Sequence, residues 1–515
     1  MNETTTKSHA NTIKKTSKGA KVLAILSALL LVFGAFLWSS SIWLVNNFGR
    51  ISVEQALDNL SNPGDSTVPA SFYWVFLRDV GLPTIAALIA SVFLFSLFKR
   101  FNRKGKTLLS RGAFGAVAVL AVLSVVVGAA QINDALGVSR WIAGPSTDTD
   151  IVDYYVEPKV TGIPDGKTNL IIVFLESMDR GFGDANLVEG NALKAIQDET
   201  KDWVDLDSLT QYPSGGWTQS GMVATFCGIP LRAAGEDAVK YSKDIAAAED
   251  QYLPGATCIT DLLSDAGYKQ VFMAGANKNH SNTKKFMFSH GIDEIRDLPE
   301  WEGNGETEIG SWGLSDRRLF ELAKEELLEL HNEDQPFMLS FTTVDNHAPT
   351  TLFPYCDPEY ADDTLSSMKC QSDLVADFIR YAKVNGVLED TAIAIVADHK
   401  MLESYPVTKY REKLNIDPES SPLFARFYAP NMPVLSKESR TQLDLAPTLF
   451  EMVGGKIDQG RLGVGVSLLA GDANTPATGT LVPLSWEEKR EVLTSASTEW
   501  IEQMWREKAS GQESG

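Results

Sequence analysis

Residue types that bind metals or phosphate follow four apolar runs in this sequence. Each lies within three positions of the end of its run: Glu176 after 169–175, Asn277 after 269–275, His347 after 336–344, and Asp398 with His399 after 391–397. A glutamate, an aspartate and a histidine with one more oxygen can hold a divalent metal, and this mixed donor set suits Zn²⁺ or Mn²⁺. Mg²⁺ usually takes more oxygens and waters. The alternative for a single Asp or Asn at such a position is a turn residue or a helix cap.

Thr218 would supply the further oxygen. It lies in SGGWTQSGMVATFCGIP (214–230), behind two glycines and Trp217, where a helix is predicted to begin. One interpretation is a helix cap, in which the Thr218 side chain accepts a backbone N–H bond. The other is a nucleophile, because a metal favours the alkoxide and a helix start stabilises a phosphoryl group. The two interpretations are compatible, and we expect Trp217 to line the pocket or to anchor the core.

The four apolar runs predict strands buried on both faces, since they are short and largely apolar. Helical periodicity lies between them, for example over 316–331 and 371–384. Strands that alternate with helices indicate an α/β layered fold with a mostly parallel sheet. In such folds, sites form beyond the carboxyl ends of the strands. We therefore expect the polar residues after the four runs to converge at one edge of the sheet.

Three longer runs without charge precede this region, at 22–45, 80–98 and 113–132. Each approaches or exceeds the roughly 20 residues that cross a bilayer. Buried core helices are disfavoured by the length of the runs. A cleaved signal peptide is disfavoured because the first run is too long and no small-residue cleavage site follows it. The sequence thus predicts a membrane domain over 22–132.

Basic residues flank these runs unevenly. Five lysines precede the first run, and the loop between the second and third has six basic residues and no acid. Positive loops stay in the cytoplasm, so residues 1–21 are predicted inside and everything after the third run outside. We divide that outer part into a connector (133–168), a catalytic domain (169–484) and a C-terminal amphipathic helix with its tail (485–515).

The outer part is strongly acidic. Beyond residue 132 the chain has 33 basic and 62 acidic residues, within a whole-chain net charge of −21. Such a surface argues against a nucleic-acid partner. All four cysteines lie there, which suggests disulfides in an oxidising compartment. Three pairings are possible, and we favour the sequence-local ones, Cys227–Cys258 and Cys356–Cys370.

The last segment, from Ser485, has a capping box with Glu488 and apolar residues at helical spacing. It predicts one amphipathic helix. This helix would either pack on the catalytic domain, which we favour, or lie in the membrane interface.

Seven segments together resemble a known family. In order they read NLIIVFLESMDR, SGGWTQSGMVATFCGIPL, DLLSDAGYKQVFMAGAN, FMFSHGIDEI, WGLSDRRLFELA, FTTVDNHAP and IVADHKM. They resemble the phosphoglycerol transferases that modify periplasmic glucans (membrane-derived oligosaccharides), in the lipoteichoic acid synthase-like branch of the alkaline phosphatase/sulfatase superfamily. The resemblance covers roughly residues 150–470. It implies an alkaline phosphatase/sulfatase-like catalytic domain.

The resemblance also implies residue roles. It makes Glu176, Thr218, Asp398 and His399 the metal ligands, with Thr218 as nucleophile. His347 would contact the phosphoglycerol and either donate a proton or stabilise charge. Asn277, His280 and Lys285 would line the substrate pocket, and Asp316 in WGLSD would be structural.

These observations predict an inner-membrane enzyme with a periplasmic catalytic domain. Thr218 would take phosphoglycerol from phosphatidylglycerol, release diacylglycerol and pass the group to a periplasmic glucan or another envelope polysaccharide. Mn²⁺ is the expected metal, with Mg²⁺ and Zn²⁺ as alternatives. The alternative functions are a phosphoethanolamine transferase, a lipoteichoic acid synthase-like polymerase and a catalytically silent sensor or binding protein. A sulfatase activity is disfavoured, because Cys227-Gly-Ile-Pro-Leu-Arg does not match the C-x-P-S-R context of that chemistry.

Overall fold

The computed structural model describes most of the chain. The described residues are 18–48, 51, 53, 56, 70–103, 107–143, 150–166, 168–213, 215–232, 251–279, 282–348, 350–402, 406–414, 420–432, 435–436, 440–469, 479–494 and 497–506. The chain divides into two compact units, Met1–Arg50 with Ala70–Val138 and Ile51–Pro69 with Ser139–Gly515.

The first unit is built from long apolar helices. They are α1 (Lys18–Phe48), α2 (Ala70–Phe76), α3 (Leu82–Arg103) and α4 (Thr107–Leu136), with a π-helical turn at Leu77–Gly81 joining α2 to α3. Three stretches are long and apolar enough to cross a bilayer: Val22–Asn47, Tyr73–Leu97 and Gly115–Leu136. The second begins seven residues before the predicted start, because helix α2 adds a turn of apolar and aromatic residues.

Small residues bring α1 and α4 together. A Cβ atom placed on Gly34 would lie 2.3 Å from Ser124 Oγ, and one on Gly128 would lie 2.9 Å from the Gly34 carbonyl oxygen. Close backbone approach at small residues is how apolar helices associate where lipid removes the hydrophobic driving force.

The second unit is organised around a seven-stranded sheet. In chain order the strands of this unit are β1 (Val160–Gly162), β2 (Asn169–Leu175), β3 (Val204–Asp205), β4 (Leu209–Thr210), β5 (Lys269–Ala274), β6 (Glu294–Arg296), β7 (Phe337–Thr342), β8 (Thr391–Ala397), β9 (Ala425–Tyr428), β10 (Arg440–Thr441), β11 (Lys456–Ile457), β12 (Arg461–Leu462) and β13 (Gly465–Val466). The large sheet has the order β3-β9-β8-β2-β7-β5-β6. Its five strands from β8 to β6 are parallel, and β9 runs antiparallel to β8.

Helices cover both faces of this sheet. The remaining helices, in chain order, are α5 (Val138–Ala143), α6 (Lys194–Glu199), α7 (Thr218–Cys227), α8 (Ile259–Asp265), α9 (Thr283–Ser289), α10 (Leu298–Gly303), α11 (Asp316–His331), α12 (Asp363–Val384), α13 (Tyr410–Leu414), α14 (Leu445–Met452), α15 (Trp486–Leu493) and α16 (Thr498–Trp505). All residues of β2, β7 and β8 are buried, as expected for strands covered on both sides. The chain therefore has the predicted α/β class, with a mostly parallel sheet covered on both faces and long apolar helices before it.

The predicted elements and the observed ones differ mainly at their ends. Strands β2 and β8 and helix α11 have the predicted bounds, whereas α12 begins eight residues earlier, at Asp363. There the Asp362 side chain caps the helix by accepting the N–H groups of Thr364 and Leu365.

The predicted connector carries its own structure. It includes the end of α4, helix α5 and strand β1, which pairs antiparallel with β11.

The C-terminal segment is not the single helix that the periodicity predicts. It forms α15 and α16, and Ser497 caps the second by accepting the N–H of Trp500. Thr494 is the C-cap of the first helix and Ser497 is the extended N-cap of the second. Ser and Thr side chains compete with helical hydrogen bonds, which explains the break. Trp500 and Met504 are buried, and the Trp505 ring packs edge-on against Tyr252. This segment packs on the catalytic unit.

Two disulfides close this unit. Cys227 bonds to Cys258, and Cys356 bonds to Cys370. These are the two sequence-local pairs. The first ties the end of α7 to the start of α8, and the second ties the loop after β7 to α12.

Candidate metal-dependent active site

Adjacent parallel strands deliver the acidic residues of the site. β2 and β8 pair with Leu175 opposite Ala397, so Glu176 and Asp398 leave the sheet side by side. β7 lies on the other flank of β2, and the Thr343 hydroxyl just after it accepts the Glu176 N–H at 2.9 Å. The strand ends thus meet at one edge, which the alternation of strands and helices predicts.

Glu176, Asp398 and His399 form a buried cluster. Their ligand atoms all lie within 4.8 Å of one another. His399 Nε2 is 3.3 Å from Glu176 Oε1 and 3.6 Å from Asp398 Oδ2. The other ring nitrogen, Nδ1, donates to the Lys400 carbonyl at 2.8 Å, which orients Nε2 towards the carboxylates.

The two buried carboxyl groups of this cluster are stabilised by positive charge. Burial and the charge of Glu176 raise the pKa of Asp398 to about 7. Burial acts to lower the pKa of His399, but Asp398 and Glu176 outweigh it and raise that pKa to about 10. Burial also acts to raise the pKa of Glu176, yet the neighbouring imidazole of His399 holds it well below its usual range. A protonated histidine balances the carboxylates here, and a divalent ion would take over that balance.

One atom of the cluster tests whether a metal fits. Asp398 Oδ1 accepts the N–H groups of Ser177 and His399, whereas the buried Oδ2 has no hydrogen-bond partner. A buried, unpartnered carboxylate oxygen is costly unless a cation binds it. The donor set of two carboxylates and one imidazole therefore fits a divalent metal. The other group of possible metal-binding residues among those described, Cys227, Cys258 and His290, is closed by the disulfide between its cysteines.

Thr218 is placed against this cluster by helix α7. It is the first residue of the helix, and Trp217 before it is extended. The predicted cap is wrong: the helix start has no side-chain cap, and the Thr218 hydroxyl instead donates to Glu176 Oε2 at 3.2 Å. Because Thr218 lies one position past the cap, its hydroxyl is free to face the carboxylates while the first N–H groups of the helix remain available for an anion.

Gly221 sets how closely α7 approaches the cluster. A Cβ atom at this position would lie 2.1 Å from the carbonyl oxygen of Asp398. No side chain fits there, so the backbone of α7 rests directly on the backbone of a proposed metal ligand. The sequence analysis did not single out this glycine.

His347 lies on the β7 side of the site. Its ring centre is 3.8 Å from that of Trp312, and its Nδ1 donates to the Ala348 carbonyl at 3.0 Å. Burial lowers the pKa of His347 although the charge of Glu176 opposes this. The imidazole is therefore mainly neutral at pH 7, with Nε2 as its basic nitrogen.

The predicted pocket residues have varied surroundings. Asn277 follows β5, and its side-chain oxygen accepts the Asn279 N–H at 2.9 Å. Lys285 is half-buried on α9, and no contact among the described residues joins it to the cluster. Trp217 is half-buried and packs against the core. His280 lies outside the described residues.

The sequence analysis missed Ser177. Its hydroxyl donates to Glu176 Oε1 at 2.6 Å and its N–H donates to Asp398 Oδ1 at 2.9 Å. It has a φ of 57°, an uncommon conformation for a residue with a side chain. Its only signal in the sequence is its place directly after Glu176, which is too weak to assign a role.

Comparison with known proteins shows the family of this chain. A family model described as Sulfatase matches residues 168–455, more than half of the chain and a range that includes Glu176, Thr218, Asp398 and His399. Phosphoglycerol transferase I of Xanthomonas euvesicatoria pv. vesicatoria is 28% identical over 349 residues, 65% of this chain and 47% of that protein. Phosphoglycerol transferase I of Escherichia fergusonii is 29% identical over 338 residues, 63% of this chain and 42% of that protein.

The chain thus spans less than half of the length of these curated relatives. Among solved structures, a protein in the alkaline phosphatase superfamily from Vibrio parahaemolyticus is 23% identical, with a TM-score of 0.45. That likeness covers 63% of this chain and 74% of that one.

Proposed function

The chain belongs to the sulfatase family, and from this premise we propose that it is a membrane-anchored phosphoglycerol transferase. It would move phosphoglycerol from phosphatidylglycerol to a periplasmic glucan or another envelope polysaccharide. The observation that carries the proposal is the Thr218 hydroxyl, held 3.2 Å from Glu176 at the start of α7 and beside the buried cluster. The relatives named phosphoglycerol transferase I support the choice of headgroup.

Glu176, Asp398 and His399, with the Thr218 oxygen, would hold one divalent ion. Mn²⁺ is our first choice, with Mg²⁺ and Zn²⁺ as alternatives. When bound, the ion supplies Lewis acidity and lowers the pKa of the Thr218 hydroxyl. The protein contributes the orientation: the Lys400 carbonyl fixes the His399 tautomer, and two backbone N–H groups fix Asp398.

In the first half-reaction Thr218 Oγ1 attacks the phosphorus of the lipid headgroup. A bond forms between Oγ1 and phosphorus, and the bond to the diacylglycerol oxygen breaks. Water takes up the threonine proton and supplies one to the departing oxygen, so diacylglycerol leaves. The phosphoglycerol on Thr218 would rest at the start of a ten-residue helix, whose first N–H groups and positive dipole end stabilise an anion.

In the second half-reaction an acceptor hydroxyl takes the phosphoglycerol. His347 is suited to help, because burial lowers its pKa and leaves Nε2 unprotonated at neutral pH. Nε2 would take the proton of the acceptor hydroxyl as that oxygen bonds to phosphorus and Thr218 Oγ1 leaves. The proton is then passed from Nε2 to Thr218 Oγ1, which regenerates the threonine hydroxyl. A covalent intermediate of this kind predicts ping-pong kinetics.

The membrane helices suit a lipid donor. Three stretches can cross a bilayer, and the donor headgroup lies at its surface. We propose a bacterial inner-membrane location with the N-terminus in the cytoplasm and the catalytic domain in the periplasm, on the strength of the basic residues flanking the spans. The proposed domains are those of the sequence analysis, with its connector (133–168) and its catalytic domain (169–484).

The deciding experiment is mass spectrometry of the Thr218 peptide after the full-length protein meets a lipid donor and Mn²⁺. Phosphatidylglycerol should add a glycerophosphoryl mass and release diacylglycerol. Thr218→Ala should abolish both. Ser220→Ala is the matched control, because its hydroxyl lies on the same helix but bonds to the Trp217 carbonyl rather than to Glu176.

Other outcomes identify the alternatives. A phosphoethanolamine adduct, formed from phosphatidylethanolamine alone, would replace our proposal with a phosphoethanolamine transferase. Chains of glycerophosphate in the product would indicate a polymerase. A protein that binds no metal and turns over neither lipid would be a silent sensor or binding protein.

A further inference from the structure

Asp316 is a fully buried acid at the first position of α11. Its Oδ1 accepts the N–H of Val344 at 2.7 Å and that of Asp345 at 3.4 Å. Buried carboxylates are rare unless they are needed for a specific set of partners. Here the partners are backbone groups of the segment that leads from β7 to His347.

The contact between the two elements is reciprocal. Asp345 Oδ2 accepts the N–H of Asp316 at 3.1 Å, and also the hydroxyl of Tyr355 at 2.7 Å. Each acid therefore holds the backbone of the other. Burial and the neighbouring charge of Asp316 raise the pKa of Asp345 to about 9, so one of the two carboxyls is protonated near neutral pH.

A short path leads from this pair to His347. Asp316 holds the N–H of Val344, and the carbonyl of Val344 accepts the N–H of His347 at 3.0 Å. The imidazole of His347 then rests on the ring of Trp312, which lies four residues before Asp316. Both ends of the segment Trp312–Asp316 thus bear on His347.

A second path leads to the metal cluster. Gln371 Nε2 donates to Asp316 Oδ2 at 3.0 Å and to Thr343 Oγ1 at 2.8 Å. The Thr343 oxygen accepts the N–H of Glu176. One side-chain amide therefore joins the carboxyl pair to the backbone of a proposed metal ligand.

A disulfide closes the network on its outer side. Tyr355 and Gln371, which bond to the two acids, are the sequence neighbours of Cys356 and Cys370, and these cysteines are joined. The loop that carries Tyr355 and the helix that carries Gln371 cannot separate while this bond is intact.

We infer that Asp316 is a positioning residue for His347: with Asp345 it forms a buried carboxyl pair that sets the distance between His347 and the metal cluster. The inference rests on the proposed function, since His347 matters only if it acts on a substrate. The WGLSD motif, whose Asp316 was expected to be structural, would then also have a role in phosphoglycerol transfer.

The test combines kinetics with a measurement that needs no substrate. In the full-length protein, we expect Asp316→Ala to lower kcat for phosphoglycerol transfer to the acceptor, the half-reaction assigned to His347, by about 100-fold with little change in KM, because a 1 Å misplacement of a reacting group costs about that much. In a double-mutant cycle, adding Asp316→Ala to His347→Ala should cause almost no further loss, since both changes remove one function. Asp316→Asn keeps an oxygen for the Val344 N–H and should recover most of the activity.

The substrate-free measurement is the rate at which diethyl pyrocarbonate acylates His347, followed by peptide mass spectrometry. Asp316→Ala should raise that rate severalfold. Tyr355→Phe, which removes the hydrogen bonds of the Tyr355 hydroxyl with Asp345 and with the Arg317 N–H but leaves both acids, should raise it less. Asp444→Ala is the matched control, because Asp444 is also a buried acid that accepts backbone N–H groups, from Thr441 and Val466, and should leave the rate unchanged.

Two results would overturn the inference: an unchanged rate of His347 acylation in both Asp316→Ala and Tyr355→Phe, or kinetic losses that multiply in the double mutant. If the wild-type protein released no diacylglycerol from phosphatidylglycerol, the proposed function would fall. The acylation rates would still decide whether Asp316 positions His347.

Discussion

Substituting Gly221 by alanine tests the packing of α7, which carries the proposed nucleophile, on the buried cluster of Glu176, Asp398 and His399. The new Cβ atom would lie 2.1 Å from the Asp398 carbonyl oxygen, whereas ordinary contacts begin near 3.4 Å. The obstacle is backbone, so no rotamer change relieves it, and α7 and the end of β8 must separate by about 1.3 Å. Thr218 lies one turn before Gly221 and moves with it.

Two opposing terms set the effect on stability. Alanine is favoured over glycine within a helix by about 1 kcal/mol. Overpacking a close contact costs typically about 1–3 kcal/mol, and a contact between backbones belongs at the upper end. We therefore expect a net loss of about 1–2 kcal/mol and a melting temperature lowered by a few degrees. Turnover should fall by about 100-fold, because the nucleophile is displaced by about 1 Å from its metal ligands.

Circular dichroism on the full-length protein measures the first effect, and diacylglycerol release measures the second. Gly303→Ala is the matched control, because Gly303 also lies in a helix and a Cβ there meets nothing within 4 Å. That variant should keep its activity and be unchanged or slightly stabilised. A Gly221→Ala protein as stable and as active as the Gly303→Ala protein would refute the packing described here.

Three further predictions concern charge. Asp398→Asn keeps the oxygen that is bonded to the Ser177 and His399 N–H groups but replaces the unpartnered carboxylate oxygen, so the melting temperature without metal should hold or rise. In the unsubstituted protein Mn²⁺ should raise the melting temperature and a chelator should reverse that increase, whereas in Asp398→Asn the increase should disappear. Neutral His347 is the proposed base for the acceptor hydroxyl. Transfer to the acceptor should therefore fall as pH drops through a pKa below the usual histidine value of about 6.5, and His347→Gln should remove this acid limb from the pH–rate profile. The pKa of Asp345 is raised from about 3.9 in the unfolded chain to about 9 in the folded protein, so its contribution to stability is full below pH ~4 and is lost as pH rises to ~9. In denaturant unfolding, the free energy of unfolding of Asp345→Asn should fall less across that pH range than that of the unsubstituted protein.

The strands of the central sheet and the residues that follow them can be predicted from the sequence. Parallel strands covered on both faces must be short and apolar, so β2 and β8 are visible as uninterrupted runs, and whatever follows them must lie at the same sheet edge. The sequence therefore predicts that Glu176, Asp398 and His399 lie at the same edge of the sheet. The membrane-span candidates can also be predicted from the sequence, because few other structures contain a charge-free run of such length.

The start of α7 is a feature that the sequence alone does not fix. Thr218 could cap α7 or face the cluster, and a shift of one residue decides between them. A difference of one residue lies within the uncertainty of any helix boundary, and here the packing of Gly221 on Asp398 settles the register.

The sequence by itself therefore determined the fold class, the spans and the residue types gathered at the sheet edge, because hydrophobic periodicity and strand direction are local properties. Only the tertiary structure decided which side chains hold those residues in place. Asp316 and Gln371 lie on helices α11 and α12, whereas Asp345 and Tyr355 lie in the loop after β7. Their hydrogen bonds join residues that are 10 to 55 positions apart in the chain. Such a network depends on distances and angles between packed elements, which no spacing along the chain encodes.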